Sequence, residues 1–234
     1  MESETKLVDG LRRSNLWFNL DVEGRRRHPR ESTKALYDRK LKPLAKGLRS
    51  ILEIGCCEGA SCLWLWENIK PDLWVGVDPW FPDRQRHAPL FKMWRENFWW
   101  NVEASGAENL TVPPEGGRRT TEFRFGPTRC LMAEWPSQEY LRHQIDVDVP
   151  GQKFDAVLVD GDHHGAEAMQ DMVFSWRHLK KGGLMIIDDY ERRWLHGRAH
   201  VKEAATAFFT AFEDRVEKAM ECKRQLWLRK RTEV

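Results

Sequence analysis

The chain has 234 residues, 41% hydrophobic and 32% charged, with a formal net charge of +2. That length admits one α/β domain with an appendage, and the composition is that of an ordinary soluble protein rather than a disordered one. No apolar run approaches the roughly 20 residues a membrane span needs, and near-neutral charge lends no support to nucleic-acid binding.

Residues 1–48 are polar and basic around Arg25-Arg26-Arg27-His28-Pro29-Arg30, with Leu11, Leu16, Phe18 and Leu20 scattered among the charges. They are expected to form an arm or lid ahead of a domain spanning residues 49–234. The arginine cluster reads as a solvated face, with a phosphate-reading patch as the alternative. The opening Met1–Lys6 lacks a signal-peptide core, so the expected location is cytoplasmic.

From Ser50 the pattern changes. Ser50–Ile54 reads as a strand, Gly55–Gly59 as a glycine-bracketed turn, and Ala60–Lys70 as a helix stopped by Pro71. Trp74–Val77 is a second strand closed by Asp78-Pro79, completing a β-α-β unit that winds right-handed into a parallel sheet. An amphipathic helix is predicted over Leu90–Glu103, a loop at Pro113–Gly117 and an alternating strand over Thr121–Phe125. Pro136–Gly151 reads as an irregular connection. Phe154–Val159 then runs as a strand into Asp160, Gly165–Lys180 as a helix, and Leu184–Ile187 as a strand into Asp188-Asp189. A helix over Val201–Lys218 and an edge strand at Gln225–Arg229 finish the reading. The fold class expected is α/β and Rossmann-like: a mostly parallel sheet, helices on both faces, and an antiparallel C-terminal edge strand.

Five cysteines (Cys56, Cys57, Cys62, Cys130 and Cys222) show no metal-ligand spacing and read as reduced thiols. Twelve tryptophans are many for this length, and five lie between Trp74 and Trp100. They read as core material, or as an aromatic wall for a ligand or for a homo-oligomer interface.

The two acidic strand ends carry the most chemistry. Short aliphatic runs of this kind are strands buried on both faces, and open α/β sheets bind ligands beyond the carboxyl ends of their strands. Asp160, Asp188 and Asp189 would thus meet in one crevice, where they repel unless a proton, a base or a cation intervenes. Hard divalent cations choose such oxygen ligands. The plainer alternative is local: Asp160 or Asp162 capping the next helix, and Asp188-Asp189 making a turn. Gly55 allows a sharp turn and Gly59 a close backbone approach at a helix N-terminus. Asp78, ending the neighbouring strand, suits a ribose.

Leu52-Glu53-Ile54-Gly55 with Gly59, followed by Gly76-Val77-Asp78, resembles the first two motifs of class I S-adenosylmethionine-dependent methyltransferases. Asp160-Gly161-Asp162-His163, Asp171, Trp176, Gly182-Gly183 and Asp188-Asp189-Tyr190 resemble the metal-dependent small-molecule O-methyltransferases, which include enzymes acting on natural-product sugars. The resemblance covers about residues 49–190. It implies S-adenosylmethionine bound by Glu53, Gly55, Gly59, Ser61, Asp78, Thr128 and Asp160. It implies Mg²⁺ or another divalent cation on Asp160, Asp188 and Asp189, and His163 as general base, with His164 its competitor. The implied partner is a small molecule bearing a hydroxyl, foremost a sugar or polyol-like natural product, with Trp80, Phe81 and Trp194 suited to stacking on it. Two other readings are a nucleic-acid methyltransferase using the basic arm, and a metal-using hydroxylase or non-catalytic cofactor binder.

Overall fold

The computed structural model describes residues 33–80, 88–114, 117–192 and 200–233. The apolar runs become strands β1 (Ser50–Ile54), β2 (Leu73–Val77), β3 (Arg119–Phe125), β4 (Thr128–Glu134), β5 (Phe154–Val159), β6 (Leu179–Ile187), β7 (Val216–Glu221) and β8 (Leu226–Lys230). They form one sheet in the order β3-β4-β2-β1-β5-β6-β8-β7. The five strands from β4 to β6 run parallel. The outer pairings, β3 with β4, β8 with β6 and β7 with β8, are antiparallel. The helices are α1 (Thr33–Leu36), α2 (Ala60–Asn68), α3 (Ala88–Ala104), α4 (Ser137–Glu139), α5 (Ile145–Asp148), α6 (Gly165–Trp176) and α7 (His200–Ala211). A π-helical turn (Tyr37–Leu41) and a 3-10 stretch (Lys42–Gly47) continue α1. The fold class is the expected one.

The strands read as unbroken apolar runs because both faces are covered. Leu52, Ile54, Val157, Val159, Met185 and Ile187 meet Met172 and Trp176 of α6 and Phe208 of α7 on one side. Ile51, Ala156, Leu158, Leu184 and Ile186 share the other side with Leu65 and Trp66 of α2 and Phe98 and Trp99 of α3. The aromatic wealth is largely core. Trp66 lies edge-on to Trp74 at 4.9 Å and to Phe123 at 5.6 Å. Leu36, Tyr37, Leu41 and Leu48 are buried in the same cluster, so residues 33–48 pack on the sheet layer; the arginine cluster lies outside the described residues.

Several boundaries differ from expectation for local reasons. β4 has no counterpart in the sequence reading: Gly126-Pro127 is a two-residue hairpin turn joining Phe125 to Thr128, with Gly126 at φ +53°. Residues 137–148 are helical turns, not an irregular link. The helix starting at Gly165 ends at Trp176, and Lys181-Gly182-Gly183 lies inside β6 beside a register shift opposite Phe154–Ala156. The last helix ends at Ala211, so Lys218 belongs to β7. β7, not the Trp227 strand, forms the edge, and β8 is buried between β6 and β7.

Candidate active site

The glycine turn is built around Asp78. Gly55 has φ +86°, and a Cβ there would stand 1.9 Å from the backbone oxygen of Asp160, so only glycine lets β1 and β5 end side by side. Gly59, at φ +90°, precedes α2 and faces the Phe98 ring, which a Cβ would meet at 3.1 Å. The Cys56 and Cys57 amides donate to Asp78 Oδ2 at 3.0 and 2.9 Å, and the Trp80 amide to Oδ1 at 2.9 Å. Burial pushes the Asp78 carboxyl up to about 6, against the pull of those three amides. From α3, Asn101 Nδ2 donates to the Glu58 carbonyl at 2.9 Å and Asn97 Nδ2 to the Glu58 carboxylate at 2.7 Å. The turn is therefore fixed from two sides.

Glu53 and Ser61 lie beneath this turn. Glu53 is buried, and its carboxylate accepts hydrogen bonds from the Ser61 hydroxyl and, at 2.8 Å, from the Trp74 indole. Both serve the turn's foundation. Thr128, expected beside the cofactor, starts β4 next to the pair Arg129–Leu73, at the end of the sheet opposite Gly55 and Asp78, and it is fully buried. The carboxyl end of β4 is Glu134, which accepts from Arg95 Nε at 2.8 Å, Arg95 Nη2 at 2.9 Å and Trp99 Nε1 at 3.2 Å.

The carboxyl ends of β5 and β6 lie side by side. The amide of Asp160 donates to Ile54 O at 2.9 Å and that of Asp188 to Val159 O at 3.0 Å, carrying the ladder one residue past β5 and β6. His163 Nε2 lies 2.9 Å from Asp189 Oδ2 and 3.8 Å from Asp160 Oδ1. One donor atom each from Asp160, His163 and Asp189 falls within a 4.8 Å group. Asp188 is not in that group; its Oδ1 is buried with no hydrogen-bond partner. Asp160, His163 and Asp188 line a cleft with Gly161, Asp162 and Val201. His164 turns elsewhere, its Nδ1 2.6 Å from Asp162 Oδ1.

The three carboxyls differ because their neighbours differ. Burial, then the charges of Asp188 and Asp189, hold Asp160 well above the usual carboxylate range. Burial and Asp189 push Asp188 up to about 6. Burial also acts upward on Asp189, but the His163 hydrogen bond, the His163 charge and Arg192 together hold it below its usual value. Arg224 opposes the rise of Asp160 and Asp188 without cancelling it, whereas Asp189 has the Arg192 guanidinium in direct contact.

Sequence reasoning overlooked Arg192, whose Nη1 lies 2.8 Å from Asp189 Oδ2. Its spacing of three residues after an acidic strand end was the available signal. Tyr37 was also overlooked. Burial, then the charges of Asp188, Glu53 and Asp160, push its phenol upward. Trp80, expected to stack on a substrate, is buried; its ring packs on Phe98 and its Nε1 donates to Cys57 O at 2.9 Å. Phe81 and Trp194 lie outside the described residues.

A family model described as a methyltransferase domain matches residues 52–190, from β1 through both acidic strand ends. The chain belongs to the methyltransferase-domain family. No protein of curated function matches the sequence. Among solved structures, this family member is similar to the O-methyltransferase from Bacillus cereus in complex with SAH, at 15% identity and TM-score 0.56, covering 99% of this chain and 91% of that one. It is similar to TomG, the O-methyltransferase of tomaymycin synthesis from Streptomyces achromogenes, at 18% identity and TM-score 0.53, covering 85% and 81%. It is also similar to MycE, the methyltransferase of the mycinamycin biosynthetic pathway in complex with Mg and SAH, at 16% identity and TM-score 0.52. That match covers 85% of this chain, which spans only about half, 49%, of the MycE chain. At these identities the likeness is one of fold. Among the described residues, no helix is long and apolar enough to cross a membrane.

Proposed function

We propose that the chain transfers the methyl group of S-adenosylmethionine to a hydroxyl oxygen of a small molecule, with a divalent cation on its acidic strand ends. The observation that carries this reading is the meeting of Asp160, His163 and Asp189 at the carboxyl ends of β5 and β6, directly beside the Gly55 turn. The turn and Asp78 would take the methionine part and the ribose of the cofactor. The end of β4, from Glu134 onward, replaces Thr128 as the side nearest the cofactor's base.

A hard cation fits the donor set on two counts: carboxylate oxygens and an imidazole gathered at adjoining strand ends, and a buried Asp188 Oδ1 with no hydrogen-bond partner. Asp160, Asp188 and Asp189 would hold it, and when bound it would lower the pKa of the acceptor hydroxyl. His163 would serve as base in its neutral form with Nε2 released from Asp189 Oδ2, the carboxylate to which that nitrogen donates at 2.9 Å in this structure; Asp160 and Asp189 would then favour the imidazolium formed on taking the hydroxyl proton. The oxygen lone pair would then form the O–CH₃ bond as the S–CH₃ bond breaks, with S-adenosylhomocysteine as the leaving group. Rate comes mainly from orientation. A sugar or polyol-like natural product is the acceptor class favoured, supported by the sequence resemblance and by the natural-product pathways named for MycE and TomG.

The test is methyl transfer followed by mass spectrometry over a panel of hydroxylated acceptors, with and without Mg²⁺. His163→Ala should lower turnover by about 10²–10⁴-fold, the usual worth of a positioned base. Full turnover in Asp160→Ala and Asp188→Ala would overturn the cation reading.

A further inference from the structure

One carboxylate of the acidic group already has a guanidinium in direct contact. Asp189 Oδ2 is shared by His163 Nε2 at 2.9 Å and Arg192 Nη1 at 2.8 Å. The Arg192 side chain is 17% exposed and that of Asp189 6%, so little water screens the pair. Arg192 is also held in place through the main chain. Its amide donates to Asp189 O at 3.0 Å, closing a turn. Within that turn the Tyr190 amide donates to Arg224 O at 2.9 Å and the Glu191 amide to Lys223 O at 3.0 Å, pinning it to the connection between β7 and β8. Asp189 itself sits at φ +50°, the left-handed region that aspartate enters more readily than most side chains. The turn thus aims a guanidinium and a carboxylate at one another.

A guanidinium and a divalent cation compete for the same lone pairs, and at this range they also repel. Both effects have one sign. We infer that Arg192 is an internal competitor that sets the cation affinity of this site by occupying Asp189 Oδ2, so that cation binding requires its displacement. Arg192 is a positioning residue here: it acts on the ion through Asp189. The inference rests on the cation reading above and concerns residues of this chain alone.

The test is isothermal titration of Mg²⁺, and of Mn²⁺ as a second probe, into the full chain without cofactor or acceptor. Arg192→Gln should bind about tenfold more tightly than the parent, the order of effect for removing one unit charge a few ångströms away. Arg192→Lys, which keeps the charge and loses the fork, should fall between them. Thermal melting supplies a second readout. The rise in melting temperature on adding saturating Mg²⁺ should be larger for Arg192→Gln than for the parent, because its cation-free form has lost a counter-charge. Unchanged or weaker Mg²⁺ binding in a folded Arg192→Gln would overturn the inference and make Arg192 a support of the ligand set. No Mg²⁺ or Mn²⁺ binding by the parent chain, or binding unaffected by Asp189→Asn, would instead overturn the cation reading and the inference with it.

Discussion

Asp171 shows how one buried carboxyl ties the site to the folding equilibrium. It lies on α6, accepts from Ser137 Oγ at 2.6 Å and Gln138 Nε2 at 3.2 Å, and is 1% exposed. Burial drives its carboxyl up to about 7, with Asp162 and Glu167 adding to the rise and the Ser137 and Gln138 bonds opposing it. The folded state therefore holds a proton that the unfolded chain, with an ordinary carboxyl, gives up near pH 4. This contribution to stability is complete below about pH 4 and is lost as pH rises through about 7. Asp171→Asn should erase that slope and gain roughly 2–4 kcal/mol on the parent between pH 4 and pH 8, as measured by urea unfolding at both values. An equal stability difference at the two pH values would refute it. Asp171 was visible in the sequence only as part of a resemblance, because an acid within a helix reads as an exposed position until Ser137 is folded over it. Arg192 stayed hidden for the same reason: a charge beside charges is unremarkable until backbone bonds to Lys223 and Arg224 aim it.

Strands whose ends carried turn chemistry were legible, and those without it were not. β1, β2 and β5 stop at Gly55, Asp78 and Asp160, so their lengths follow directly from the sequence. β4 was missed because Arg129 and Glu134 bracket an apolar run of only four residues, Cys130–Ala133, and because a two-residue Gly126-Pro127 turn leaves no loop to separate it from β3. The final helix was drawn too long, since Phe208, Phe209 and Phe212 continue a periodicity that the chain breaks after Ala211. Glycine positions allow a sharper check. Gly55 and Gly151 both have positive φ, +86° and +67°, but a Cβ on Gly151 meets nothing within 4 Å. Gly151→Ala should cost about 1 kcal/mol, the left-handed penalty alone. Gly55→Ala adds the collision with the Asp160 carbonyl and should cost upwards of 3 kcal/mol, with weakened binding of S-adenosylhomocysteine. Equal losses by calorimetric melting would show that β1 and β5 do not meet as closely as described.

Across the molecule, the N-terminal boundary is where sequence patterning was least informative. Residues 1–48 read as one basic arm because charges dominate, yet Leu41 is fully buried and Tyr37 packs on Trp64 with ring centres 5.2 Å apart. Tryptophan–aromatic contacts of this kind are tertiary, and no periodicity announces them. If residues 33–48 are part of the cooperative unit, Leu41→Ala should cost about 2–5 kcal/mol, the range for a truncated core leucine. A change within about 0.5 kcal/mol in thermal unfolding would make the segment a detachable arm.

The insertion of β8 between β6 and β7 has a kinetic consequence. β6 carries Asp188 and Asp189 at its end, yet its outer edge stays open until a strand some forty residues further along pairs with it. Pairings between distant residues close slowly, because the intervening chain must first lose its freedom. During that interval an apolar strand, Leu184 to Ile187, offers unpaired amides and carbonyls to any neighbour, the circumstance in which chains join edge to edge. The strand that presents the chemistry is therefore also the one at which a slow or crowded refolding would first go astray.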